Sequence, residues 1–218
     1  MNEKEDVPVR EGPEKNLGNE LERLRAALRF YETVIARYSE FVNASEQKTI
    51  PELKALVKPK DESIVETKDK LLSELGISGG EYRLEHDFLP ACEKAFALTQ
   101  SFEKVHHLGI SFWLSPKEML ELKAADSFDK SMFLCSLLQA LGCESAKVRV
   151  LELEEGINHP VVTAFYAGRQ FLLDPSQEAS AFTFEGQLSE VLEKFSYDGK
   201  RVVRSLYEFN NSEYTELS

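Results

Sequence analysis

Three side chains in this sequence have the types and the chain order of a covalent catalytic triad: Ser127, His159 and Asp174. Ser127 sits at the start of ADSFDKSMFLCSLLQALG (125–142), where Asp126, Ser127 and Asp129 lead into an almost wholly apolar run. A helix start presents unpaired N–H groups and the positive end of the helix dipole, so it favours an anion. Enzymes use that position for a thiolate, because the helix end and a nearby imidazolium lower a cysteine pKa from about 8.5 by one to several units. Here a serine stands at the mouth instead. The three cysteines, Cys92, Cys135 and Cys143, do not substitute for it. Cys135 lies two turns into the apolar helix, where burial keeps a thiol inert, and Cys143 lies past its far end.

A turn decides whether His159 and Asp174 can meet. PVVTAFY and RQFLLDP read as strands around Ala167-Gly168. With a two-residue loop, Tyr166 faces Arg169 and Val161 faces Asp174. His159 is then a diagonal neighbour of Asp174 on one sheet face, within reach for an imidazole and a carboxylate. A three-residue loop would put the two on opposite faces. Asp174-Pro-Ser is also a turn former in its own right.

The elements that must hold these residues follow from periodicity. Leu17, Leu21, Leu24, Leu28, Tyr31, Ile35, Tyr38 and Val42 alternate spacings of four and three, the heptad seam of a coiled coil on a long helix. Ala27, Val34 and Phe41 widen the stripe. The helix 61–75 carries Ile64, Leu71 and Leu75 on one face, so an N-terminal helical hairpin is expected, with Leu21, Leu28 and Ile35 buried in it. A homodimer through the seam is the other way to cover it. Thr49-Ile-Pro-Glu52 and Ser115-Pro-Lys-Glu118 are capping boxes that start short helices, and Gly142 is a left-handed cap for the buried helix. A further helix covers about 88–106. After 145 the period shifts to two in AKVRVLELE, PVVTAFYAGRQFLLDP, AFTF and RVVRSLYEF. Helices first and an antiparallel sheet after give an α+β fold. The expected organisation is a flexible tail over 1–15, a helical region over 16–80 ending at the GISGG break, a domain over 81–210 and a tail over 211–218.

Bulk properties narrow the function. The formal net charge of −12 over 218 residues argues against nucleic acid or an anionic membrane surface as partner. No apolar run spans a bilayer, the start is polar, and cysteines are few and odd in number, which sets a cytoplasmic expectation. Glu85-His86-Asp87 has ligand-type residues without a second cluster, and no glycine-rich phosphate loop occurs, so neither metal nor cofactor is expected.

Residues 113–176 resemble a transglutaminase-like core, a relative of the papain-like cysteine protease fold. WLSPKEML is similar to W-x-T-P-E-E-x-L. ADSFDKSMFLCSLLQALGCESAKVRV is similar to G-D-C-x-D-x-S-x-L-L-x-A-L-L-R-A-L-G-I-x-A-R-V-V. HPVVTAFYAGRQFLLDPS is similar to H-A-W-V-E-V-Y-x-D-G-x-W-x-x-L-D-P-T. The resemblance places Ser127 at the catalytic cysteine's position, His159 at the histidine's and Asp174 at the aspartate's. It departs at Ala125 for glycine, Pro160-Val161 for Ala-Trp, Gln170 for tryptophan and, above all, Ser127 for cysteine. A serine hydroxyl is far less acidic than a thiol and cannot form a resting thiolate–imidazolium pair. Ser127 is therefore a helix cap beside Asp126, a working serine of a Ser-His-Asp triad, or an inactivating replacement of cysteine. The favoured expectation is a non-catalytic protein, a pseudoenzyme that binds a peptide or protein partner in the old cleft. The alternative is an amide-bond hydrolase or acyl transferase acting through residue 127.

Overall fold

A computed structural model of the chain describes residues 13–77, 80–105, 110, 112–177 and 184–217. The helices are α1 (Pro13–Ser45), α2 (Ile50–Lys54), α3 (Glu62–Glu74), α4 (Leu84–Gln100), α5 (Pro116–Leu122), α6 (Ser127–Ala140) and α7 (Leu188–Lys194). The strands are β1 (Glu103–Lys104), β2 (Ala124–Ala125), β3 (Lys147–Leu153), β4 (Ile157–Tyr166), β5 (Arg169–Leu173), β6 (Phe184–Glu185), β7 (Ser196–Tyr197), β8 (Lys200–Phe209) and β9 (Tyr214–Glu216). The chain divides into two compact units, Met1–Gln47 with His107–Phe112 and Lys48–His106 with Trp113–Ser218. No helix among the described residues is long and apolar enough to cross a membrane.

In the first unit, α1 is a single helix of 33 residues. Its seam positions Leu17, Leu21, Leu24, Leu28, Tyr31 and Tyr38 are exposed, and Ile35 and Val42 are half-buried. The expected hairpin with 61–75 does not account for them, because that partner stripe is used elsewhere. Ile64 and Leu71 are buried in the core of the second unit, where α3 packs on α6 and α4. The tail expected over 1–15 lies outside the described residues except for 13–15, which begin α1.

The second unit is organised around α6. Met132, Phe133, Leu134, Cys135, Leu137 and Leu138 are all buried, so the helix is apolar on every side and needs cover on every side. Helices α3 and α4 supply it on one side, strands β3 and β4 on the other. Ser136 fastens the arrangement: its Oγ donates to Met132 O at 2.7 Å and accepts from Lys58 N at 2.9 Å. That bond and the buried Val57 explain why the units part near residue 48 rather than at the glycines of 76–80. A full Schellman motif ends α6, with Gly142 at φ +94°, Gly142 N donating to Gln139 O and Cys143 N to Leu138 O, both at 2.9 Å.

Among the described residues the main sheet is antiparallel and runs β6-β5-β4-β3-β8-β7, with β9 also on β8. Val148, Val162, Ala164, Phe171 and Leu173 face α6. Leu151, Leu153, Val161 and Leu172 face the other way, into a second cluster with Val191 and Phe195 that α7 covers. Residues 211–218 were expected as a tail, yet Tyr214–Glu216 is a strand. Asn210 Oδ1 builds the turn into it by accepting from Ser212 N and Glu213 N. Of AFTF, only its last residue is among the described ones, in β6.

Candidate functional site

The β4–β5 hairpin has the two-residue loop. Tyr166 pairs with Arg169, and Ala167 (φ +49°) and Gly168 (φ +77°) both take left-handed backbone, as a type I′ turn requires. The register carries Val162 opposite Leu173 and leaves His159 and Asp174 on one face. His159 Nε2 and Asp174 Oδ2 are 2.9 Å apart, and both side chains are about fully buried, at 2% and 0% exposure.

Asp174 is held from several sides. Its Oδ1 accepts from Ser176 N at 2.9 Å and Ser176 Oγ at 2.6 Å, and its Oδ2 also accepts from Gln177 Nε2 at 2.8 Å. Burial pushes the carboxyl up, but the His159 hydrogen bond and charge, then Ser176 and Gln177, outweigh it and hold the pKa below its ordinary value. The carboxylate therefore stays ionised and accepts a hydrogen bond from Nε2–H. With Nε2 engaged by Asp174, the other ring nitrogen, Nδ1, has no hydrogen-bond partner among the described residues. That nitrogen is the one able to act as a base.

Aromatic rings fix the imidazole. Tyr197 stacks on it with centroids 3.8 Å apart and planes at 25°, and Phe195 lies 6.0 Å away at 28°. Lys104 Nζ donates to the Tyr197 hydroxyl, and that bond first, with Asp174's charge among the smaller contributions, raises the Lys104 pKa. Lys104 pairs with Ala125 in the parallel β1–β2 bridge, two residues before Ser127. The segment feeding α6 and the ring lying on His159 are thereby joined through one lysine.

Ser127 is the first residue of α6 and is half-buried. The cap belongs to Asp126, whose Oδ1 accepts from Asp129 N at 2.8 Å. This corrects the expectation that Ser127 caps the helix. One turn on, along the same helix face, Ser131 Oγ donates to Pro160 O at 3.3 Å, beside His159. No hydrogen bond joins Ser127 to His159 among the described residues. Two of the three expected residues are thus in contact, and the third stands at the helix mouth with no hydrogen-bond partner among the described residues.

Asp129 is buried in the first turn, where its Oδ1 accepts from Leu114 N at 3.2 Å. Burial, followed by the charge of Asp126, pushes its pKa up to about 8, against the opposing pull of the Leu114 amide. The thiols are silent: Cys92, Cys135 and Cys143 are all buried, and burial raises each pKa. Tyr197, Phe195, Lys104 and Gln177 carry no motif. Only the Asp-Pro-Ser turn at 174–176 gave notice of the residues that hold Asp174.

No family model matches the chain, and no curated protein matches it. Solved structures of Legionella pneumophila LapG are similar to it. One has 14% identity, covers 78% of this chain and 88% of its own, and gives a TM-score of 0.47. A calcium-bound form has 15% identity, covers 71% and 90%, and gives 0.44. Among the described residues of this chain, no group of three or more His, Cys, Asp or Glu side chains is placed to hold a metal ion.

Proposed function

We propose that this chain carries a transglutaminase-like domain that keeps the histidine–aspartate half of its site, lacks the thiol nucleophile, and binds a peptide or protein segment without cleaving it. The observation that supports this most is the contrast within the site. His159 and Asp174 are hydrogen-bonded and clamped by four further side chains, Ser176, Gln177, Tyr197 and Phe195. The residue at the helix mouth is a serine with no hydrogen bond to that histidine, and every thiol is buried. A serine at neutral pH needs a base in direct contact to attack an amide. An extended segment can be held by main-chain hydrogen bonds and side-chain pockets without any chemistry.

The intact pair also favours a second reading: an amide-bond hydrolase or acyl transferase in which a bound substrate draws Ser127 and His159 Nδ1 together. A single experiment separates them. The protein is incubated with a mixture of unstructured peptides, and new termini and transamidated products are sought by mass spectrometry. Binding without products supports the first reading. Turnover that is lost in His159→Ala would replace it with the second.

A further inference from the structure

We propose that α1 is an antiparallel coiled-coil dimerisation arm, its occupant a second copy of this chain. The helix is 33 residues long, about 50 Å, and its apolar stripe is open: Leu24 is 62% exposed, Leu28 56% and Phe41 75%. A helix in water draws most of its stability from packing an apolar face, so a stripe of this length needs a cover. The apolar face of α3, the nearest stripe of similar period in the sequence, is already committed to the α6 core.

The heptad register names the cover. Leu21, Leu28, Ile35 and Val42 occupy the a positions, and Leu17, Leu24, Tyr31 and Tyr38 the d positions. Run antiparallel against itself, the seam closes over its whole length. Leu17 meets Val42 of the second copy, Leu21 meets Tyr38, Leu24 meets Ile35 and Leu28 meets Tyr31. Each tyrosine packs against a leucine. In a parallel pair Tyr31 and Tyr38 would each face their own copy, two crowded layers of rings.

Flanking residues favour the same direction. Antiparallel helices bring e positions together on one side and g positions on the other. Arg25 and Glu32 are both e residues, so the two copies form two symmetric Arg25–Glu32 pairs. The g side brings Ala27 against Val34, which accounts for the apolar widening beyond a and d. Neither Arg25 nor Glu32 makes an ion pair within the chain among the described residues. A parallel pair would instead set Glu20 against Arg25, with Glu32 facing only Ala27.

Sedimentation equilibrium on the full chain tests this. The protein should be a dimer at micromolar concentration, and Leu28→Glu should make it monomeric while the far-UV signal and melting of the rest of the chain persist. Arg25→Glu and Glu32→Arg should each weaken association by roughly tenfold, and the two together should restore it. A monomeric wild type, or a dimer indifferent to Leu28→Glu, overturns the proposal. A dimer weakened by Arg25→Glu, indifferent to Glu32→Arg and not restored by the pair, overturns the antiparallel assignment in favour of a parallel coil.

Discussion

Replacing Asp129 by asparagine should flatten the stability of the second unit against pH. Asp129 is 2% exposed, in the first turn of α6, with Asp126 beside it. Its pKa is about 8 in the folded chain, against about 3.9 in an unfolded one. Between those values the folded state holds a proton that the unfolded state has released, so stability must fall as pH rises through the interval and level off above 8. Each pH unit of that span is worth about 1.4 kcal/mol, which sets a ceiling of about 6 kcal/mol. Asp126 shares the interaction, so the realised loss is a few kcal/mol. The substituted asparagine would keep an oxygen for the Leu114 amide and cannot ionise. Urea unfolding at pH 5.5, 7 and 8.5 gives the free-energy difference between the two proteins, in which the other titrating groups cancel. Asp129→Asn should gain on the wild type steadily up to about pH 8. A difference that stays constant across the range would mean that Asp129 is ionised at neutral pH and that its burial has been misjudged.

Asp174 has the opposite sign. Its pKa is lowered on folding, so its contribution is complete above about pH 4 and is lost as pH falls through the still lower folded value. Asp174→Asn should cost a few kcal/mol at pH 7 in denaturant unfolding, and that cost should shrink in acid. Gly142→Ala places a Cβ at φ +94° and 3.3 Å from Leu84 Cδ1, so it should lower stability by about 1–2 kcal/mol; an unchanged unfolding midpoint would contradict the cap. Ser136→Ala leaves the Lys58 amide without its acceptor and should cost about 1–3 kcal/mol, measured the same way.

What was legible in the sequence was local. Ala-Gly between two alternating runs specified the hairpin register, and with it the meeting of His159 and Asp174. The capping box at Ser115 and Glu118 is present reciprocally, because its partners are three residues apart and need nothing from the rest of the chain. Long-range choices were not legible. The stripe on α3 has the right period for either α1 or α6, and only the apolar surface around α6 decides between them. Asp126 and Ser127 are both good caps, and one residue of phase gave the role to Asp126. The rings that hold His159 come from Phe195 and Tyr197, at the end of α7 and in β7, whose place beside the histidine depends on the closure of the sheet.

The proposed reading puts residue 127 in a nucleophile's place at the helix mouth, although Ser127 makes no hydrogen bond to His159 among the described residues. The direct measurement is the alkylation rate of Ser127→Cys by iodoacetamide across pH 5–9, with the unmodified protein as control, since its three thiols are buried. The introduced thiol should have a lowered pKa, react rapidly near neutral pH and slow when His159→Ala is added. A thiol that reacts no faster than free cysteine, with an ordinary pKa and no dependence on His159, would contradict that reading.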